Sequence, residues 1–142
     1  MRVRPMTRDD AAAVAELAGQ LGYPSTNAQI ERRFLALRDR GDSALFVAED
    51  EAGAVAGWAH VMAQALMESE PFAQLMGLVV AEGTRRQGAG RCLVQAAEAW
   101  AKQRGLTMMR VNSNSARTLA RPFYERMGYT IKKTQWAFTR EL

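Results

Sequence analysis

Residues 83–90 read GTRRQGAG, with three glycines and two arginines set between an apolar run and an amphipathic stretch. Such a segment suits an anion. Glycine lets backbone amides approach closely and adopt positive φ, a helix start points free N–H groups outward, and arginine adds charge. Three anion loops compete for it. A nucleoside-triphosphate loop requires G-x-x-x-x-G-K-[ST]. Gly83 and Gly88 have that separation, but Ala89 and Gly90 occupy the places of the lysine and the hydroxyl, which excludes it. A dinucleotide fingerprint requires G-x-G-x-x-G opening the first helix of a βαβ unit. Here Gly88 and Gly90 supply two glycines, Leu93 takes the third place, and the loop comes past mid-chain after an apparent antiparallel hairpin. The third pattern is R-x-x-G-x-G, written as Arg85-Arg86-Gln87-Gly88-Ala89-Gly90. Against all three stands a plain glycine turn with solvated arginines.

The other reactive side chains are few. His60 is the only histidine and falls within a strand pattern, where a satisfied structural role is expected of it. Cys92 is the only cysteine, so no internal disulfide can form, and no Cys/His cluster has metal-ligand spacing. Cys92 reads as a small buried hydrophobe, since burial in apolar surroundings raises a thiol pKa and no histidine is near it in sequence. Of the eight methionines, Met62, Met67 and Met76 have the softness to line an acceptor pocket; scattered gap-filling in the core is the simpler reading and the one preferred.

These groups need a scaffold, and the periodicity supplies one. Residues 2–6 (RVRPM) read as a short strand, and Thr7 with Asp10 has capping-box spacing ahead of Val14, Leu17, Ala18 and Leu21 at helical period. Ser25 or Thr26 opens a second helix with Ile30, Phe34 and Leu37 on one face. SALFVAED and AVAGWAHVMAQAL flank the turn EDEAG as a hairpin, and ESEP then interrupts before AQLMGLVV, apolar almost throughout like a central strand. Leu93, Ala96, Ala97 and Trp100 fall at i, i+3, i+4, i+7, an amphipathic helix ended by Gly105. LTMMRVN is the next strand, and SARTLARPFYERM is a helix in which Pro122 demands a bend or an irregular start. YTIKK and TQWAFTREL form a closing pair of strands. The order β-α-α-β-β-β-α-β-α-β-β describes one α/β (α+β) domain over residues 1–142, a mixed, mostly antiparallel sheet flanked by helices.

GLVVAEGTRRQGAGRCLV at 77–94 and RPFYERMGY at 121–129, in this order and spacing, resemble the two signatures of the GNAT superfamily of acyl-CoA-dependent N-acetyltransferases. The likeness covers essentially the whole chain in element order. LGYP, the long second helix and the KKTQWAFTREL tail are similar to small relatives near the aminoglycoside 6′-N-acetyltransferases. The resemblance implies acetyl-CoA as co-substrate, with its pyrophosphate at Arg85, Arg86, Gln87, Gly88, Ala89, Gly90 and Arg91. The thioester would then lie beside the strand at 73–80, with amides of Leu78, Val79 and Val80 facing the pantetheine and the acyl carbonyl. It implies Tyr124 as general acid for the departing thiolate, a role that suits a phenol with an ordinary pKa near 10; the alternative is a core tyrosine with a hydrogen-bonded hydroxyl. Arg117 lies seven residues before Tyr124, where many members carry a cofactor-binding Asn. Asn112, Asn114 or Ser115 take over that role, or Arg117 meets a phosphate. Glu68 and Glu70 are the candidate base residues, Gln74 standing where many relatives have a carboxylate; a water chain or an already neutral amine would need neither. The implied acceptor is a small primary amine, and the implied assembly a homodimer through the C-terminal strands.

The bulk properties bound these readings. The chain has 142 residues, 48% apolar and 24% charged, a globular balance. Its apolar runs fall far short of the roughly 20 residues of a membrane span, and MRVRPMTRDD has no apolar signal region, so a cytoplasmic place is expected. The net charge of +4 favours an anionic ligand somewhere, yet the scattered basic residues lack aromatic interleaving and argue against nucleic acid. Two functions from different classes fit: an N-acetyltransferase, or a non-catalytic acyl-CoA-binding sensor or partner module.

Overall fold

A computed structural model describes residues 1–85 and 87–142. The chain divides into two compact units, Met1–Asn112 and Ser113–Leu142.

The first unit is built on a five-stranded sheet in the order β1 (Arg2–Pro5), β2 (Ser43–Glu49), β3 (Val55–Leu66), β4 (Ser69–Val80) and β5 (Met109–Val111). All neighbours are antiparallel except β4 and β5, which run parallel. The helices of this unit are α1 (Ala11–Gln20), α2 (Asn27–Arg38) and α3 (Ala89–Gln103). Strand alternation divides the two faces. Val47 and Trp58 turn one way, into a core with Met6, Val14 and Phe34 from the α1–α2 side. Gly57 turns the other way, where a Cβ would come within 3.1 Å of Leu93 on α3. The sheet is therefore covered by α1 and α2 on one face and by α3 on the other. The α3 face is the drier one, with Leu93, Val94 and Ala97 at 0% exposure.

Local chemistry explains where the helices begin. Thr26 and Gln29 form a reciprocal box at α2: the Thr26 hydroxyl accepts from the Gln29 amide at 3.1 Å, and Gln29 Oε1 accepts from the Thr26 amide at 2.9 Å. Ahead of α1, Asp10 Oδ2 accepts from the Thr7 amide at 2.8 Å. Asp10 is buried, and Arg4 donates to both its oxygens at 2.8 and 2.9 Å while its Nε reaches Glu49 at 2.7 Å. The clamp ties β1, β2 and the α1 entry together. Burial alone would raise the carboxyl pKa, but the Arg4 guanidinium holds Asp10 below the usual carboxylate range.

Several expected boundaries move. ESEP is not an interruption: Met67 and Glu68 make a tight turn, and β4 starts at Ser69, running through Pro71. Pro71 is tolerated because β5 pairs with β4 only from Ala73 to Leu75, so this stretch has an open edge that asks for no N–H. For the same reason the expected strand 106–112 shortens to three residues.

The second unit carries α4 (Ala120–Arg126). Its late start answers the proline question: Pro122 is the third residue of the helix, where a missing N–H costs nothing. Gly128, at φ +92°, stops it. Residues 129–142 form no helix or strand, so the closing strand pair is not among the five described strands. Extended sequence becomes a strand only where a partner takes up its N–H and C=O groups.

Candidate active site

Two features of β4 set the geometry of the first unit's site. Its pairing with β5 ends at Leu75–Val111, leaving Met76 to Val80 bound to β3 alone. In the same place the β3 register skips a residue: Val61 faces Leu75 and His60 faces Gly77, so Met76 is an extra, bulged residue. A bulge re-aims the backbone and breaks the ladder. Among the described residues, amides freed there have no strand partner on the β5 side, which is what an oxygen acceptor from a ligand requires. Leu78, Val79 and Val80 lie just beyond, opposite Ala59, Trp58 and Gly57. Sequence reasoning located this strand but not its bulge, since nothing in AQLMGLVV marks Met76 as the extra residue.

Two glycines keep the strand in place. A Cβ at Gly57 would sit 2.7 Å from the Val79 carbonyl oxygen, and one at Gly77 would sit 2.9 Å from the Trp58 ring. Gly57 admits the β4 backbone and Gly77 admits the Trp58 ring. They fix β4 between Trp58 on one face and Leu93 on the other.

The turn after β4 is anchored before the glycine loop starts. The Ala81 amide donates to Ala56 O at 2.8 Å, and the Thr84 hydroxyl donates to Ala81 O at 3.1 Å. Gly88 then adopts φ +87°, left-handed backbone that glycine enters without penalty, and α3 begins at Ala89. The first intrahelical bond is from the Cys92 amide to Gly88 O at 3.0 Å. The amides of Ala89, Gly90 and Arg91 precede it, and among the described residues no side chain caps this helix. Three such donors at the positive end of a fifteen-residue helix are the groups that an anion site uses. The side chains of Arg85 and Arg91 are exposed, free to reach phosphate oxygens, and Gln87 is exposed beside them. Open space surrounds the Cα of Gly83 and of Gly88. A pyrophosphate fits these donors. Arg86 lies outside the described residues.

Glu68 and Glu70 are exposed in the β3–β4 hairpin. At the usual strand rise, Glu70 is about 20 Å along β4 from Met76. Gln74 is half-buried on β4 opposite Met62 and Arg110. His60 is half-buried on β3, its Nε2 2.9 Å from Ser43 Oγ. Burial and then Arg40 push its pKa below the ordinary imidazole value, so the ring is neutral at pH 7. That hydrogen bond links residues seventeen apart across a hairpin, a pairing no local pattern announces. Cys92 is half-buried in the first turn of α3, less enclosed than the sequence suggested. Asn112 is exposed at the end of the first unit.

In the second unit Tyr124 is half-buried on α4, its ring edge-on to Phe123 at 5.0 Å and to Tyr129 at 5.7 Å. Burial raises its pKa above the ordinary 10, with Arg117 opposing, so the phenol keeps its proton at neutral pH. Asn114 Oδ1 accepts from the Ala116 amide at 2.9 Å, which occupies it in a turn. Among the described residues no group of His, Cys, Asp and Glu converges as a metal site, and no helix is long and apolar enough to cross a membrane.

The profile of the acetyltransferase (GNAT) family matches residues 12–129. No curated protein matches the sequence. The fold recurs in an aminoglycoside antibiotic 6′-N-acetyltransferase from Acinetobacter haemolyticus, 18% identical, TM-score 0.83, covering 100% of this chain and 99% of that one. A putative acetyltransferase from Agrobacterium tumefaciens is 21% identical with TM-score 0.85, over 99% of this chain and 100% of that one. A transcriptional regulator from Bacillus halodurans gives 21%, TM-score 0.85 and coverage of 98% and 99%.

Proposed function

The chain belongs to the acetyltransferase (GNAT) family, and from that premise we propose that it moves an acetyl group from acetyl-CoA to a primary amine by direct attack on the thioester. The family match spans both compact units, which supports reading residues 1–142 as one acetyltransferase domain. The observation that carries the proposal is the pairing of an uncapped α3 N-terminus with a β4 that parts from β5 immediately upstream. One offers amides to a pyrophosphate, and the other offers unpaired backbone to an acyl-pantetheine arm.

The roles follow from the chemistry. Gly88, Ala89, Gly90 and Arg91 hold the pyrophosphate with backbone donors, while Arg85 and Gln87 border it and Arg86 adds its charge to the loop sequence. Amides from the bulge to Val80 polarise the acyl carbonyl; a single donor of this kind is worth roughly 10²–10³ in rate elsewhere. Tyr124, protonated at neutral pH, supplies a proton to the departing thiolate. Asn112 and Arg117 are the remaining candidates for cofactor contact. The fold likeness to aminoglycoside 6′-N-acetyltransferases supports a small polyamine-like acceptor, and Glu68 and Glu70 would offer it a negative rim. We place the enzyme in the cytoplasm, in keeping with its lone free cysteine. We further propose a homodimer in which the tail of each chain, with Trp136 and Phe138 exposed, is covered by the other.

The test is a screen of aminoglycosides, alkyl diamines and lysine peptides for thiol release from acetyl-CoA, repeated with Tyr124→Phe. Turnover in the wild type, a loss of about 10²-fold in kcat in the variant and unchanged acetyl-CoA affinity are expected. Cofactor binding with no turnover on any amine would instead establish the non-catalytic acyl-CoA-binding module.

A further inference from the structure

The acceptor amine enters water as an ammonium ion and must lose a proton before it can attack. Neither Glu68 nor Glu70 is near the bulge, and Gln74 cannot accept a proton. One titratable side chain on β3 lies in register with β4 just past the bulge. We propose that His60 is the proton acceptor for the incoming ammonium: it faces Gly77, the residue after the Met76 bulge, with Nε2 held 2.9 Å from Ser43 Oγ.

The geometry suits the role in three ways. A serine hydroxyl both donates and accepts, so Ser43 Oγ can accept a hydrogen bond from Nε2–H and leave a lone pair on Nδ1, which meets no hydrogen-bond partner among the described residues. Gly77 brings no side chain to this position, and the Trp58 ring fills the space beside it. His60 therefore has an apolar flank that disfavours its charged form. The charged groups that bear on the ring are Arg40 and, through its ion pair with Arg40 at 3.0 Å, Asp42. Its neighbours across the sheet, Leu45 and Gly77, and along its own face of the strand, Trp58 and Met62, are uncharged. A neutral imidazole at pH 7 is ready to accept.

The step balances. One ammonium proton passes to Nδ1, and the freed nitrogen lone pair forms the C–N bond at the thioester carbonyl carbon. Collapse breaks the C–S bond with its electron pair on sulfur. The second proton, lost from nitrogen as the amide forms, is matched by the one the thiolate takes up. The imidazolium then releases its proton to water.

This inference rests on the acetyltransferase reading, and the experiment separates the two. Using the acceptor amine that turns over fastest, kcat/KM is followed against pH for the untagged wild type and for His60→Gln, whose amide can still bond Ser43. Expected is a fall of about 10²-fold in kcat at neutral pH with acetyl-CoA affinity unchanged. That loss should shrink as pH approaches the pKa of the amine, near 10, where the acceptor is neutral unaided. Because His60 is the only histidine, its imidazole resonances are assigned without ambiguity. Its titration in the folded wild type should coincide with the acid limb of kcat/KM, a check that holds even if the variant fails to fold. Equal turnover of the two proteins, a loss independent of pH, or an acid limb away from the His60 titration overturns the role of His60 and leaves the acetyltransferase reading intact. A wild type that transfers acetyl to no amine overturns both.

Discussion

The helix starts of the first unit are treated in two different ways. At α2 a Thr–Gln box satisfies the orphan amides, and ahead of α1 Asp10 bonds Thr7 under a bidentate arginine. At α3 there is no side-chain cap, and glycine at φ +87° replaces the usual Thr or Asp. A side-chain cap is worth about 1 kcal/mol, and substituting it by glycine forfeits a few tenths. The longest helix among the described residues thus gives up a local stabilisation that α2 keeps and that the Thr7–Asp10 turn supplies just ahead of α1. The difference marks out α3: its amides are kept for a partner from outside the protein, while the other two starts serve the fold alone.

Breaking the buried clamp ahead of α1 should have the largest effect. Arg4→Met leaves the Asp10 carboxylate enclosed without its cation, and a loss of about 3 kcal/mol in unfolding free energy is expected, since removing one partner strands the other charge. The pH dependence follows from the lowered pKa of Asp10. In the wild type this stabilisation is fully present above the ordinary carboxylate value near 3.9 and is lost as pH falls through the depressed one. The gap between the two proteins in denaturant titrations should therefore narrow below about pH 4.

Gly88→Val sharpens the comparison from the other side. A β-branched residue in left-handed backbone costs roughly 1–2 kcal/mol, and its side chain intrudes on the amides of Ala89 and Gly90. Calorimetry should show both a lower Tm and a much weaker acetyl-CoA affinity. The smallest effect is expected for Thr26→Ala, about 1 kcal/mol of stability with acetyl-CoA affinity unchanged. If Thr26→Ala weakened cofactor binding as much as Gly88→Val does, the two kinds of helix start would not differ in function.

What the sequence revealed and what it concealed divide along a physical line. Thr7 with Asp10, Thr26 with Gln29, and Gly88 ahead of α3 act within three residues of themselves, so spacing alone discloses them. The extents of β4 and β5 depend on each other: Pro71 lies inside a strand because β5 does not reach it, and β5 is short because β4 parts from it after Leu75. No local pattern encodes that. The Met76 bulge and the Ser43–His60 bond arise from register across hairpins, which one residue more or fewer in a turn would change. Tyr124 is legible from its motif, and the protonation that suits it to donate comes from burial.

What the uncapped start of α3 receives decides the function. The most direct measurement is the thermal stability of the wild type with acetyl-CoA, CoA, ATP and NAD in parallel. A ligand that binds the native state alone adds about 2.7 kcal/mol at 100 times its Kd, a clear shift for a chain of this size. A rise in Tm is expected with acetyl-CoA and CoA and none with ATP or NAD. No shift with either CoA species at millimolar concentration would contradict it, leaving a family fold whose glycine loop holds some other anion.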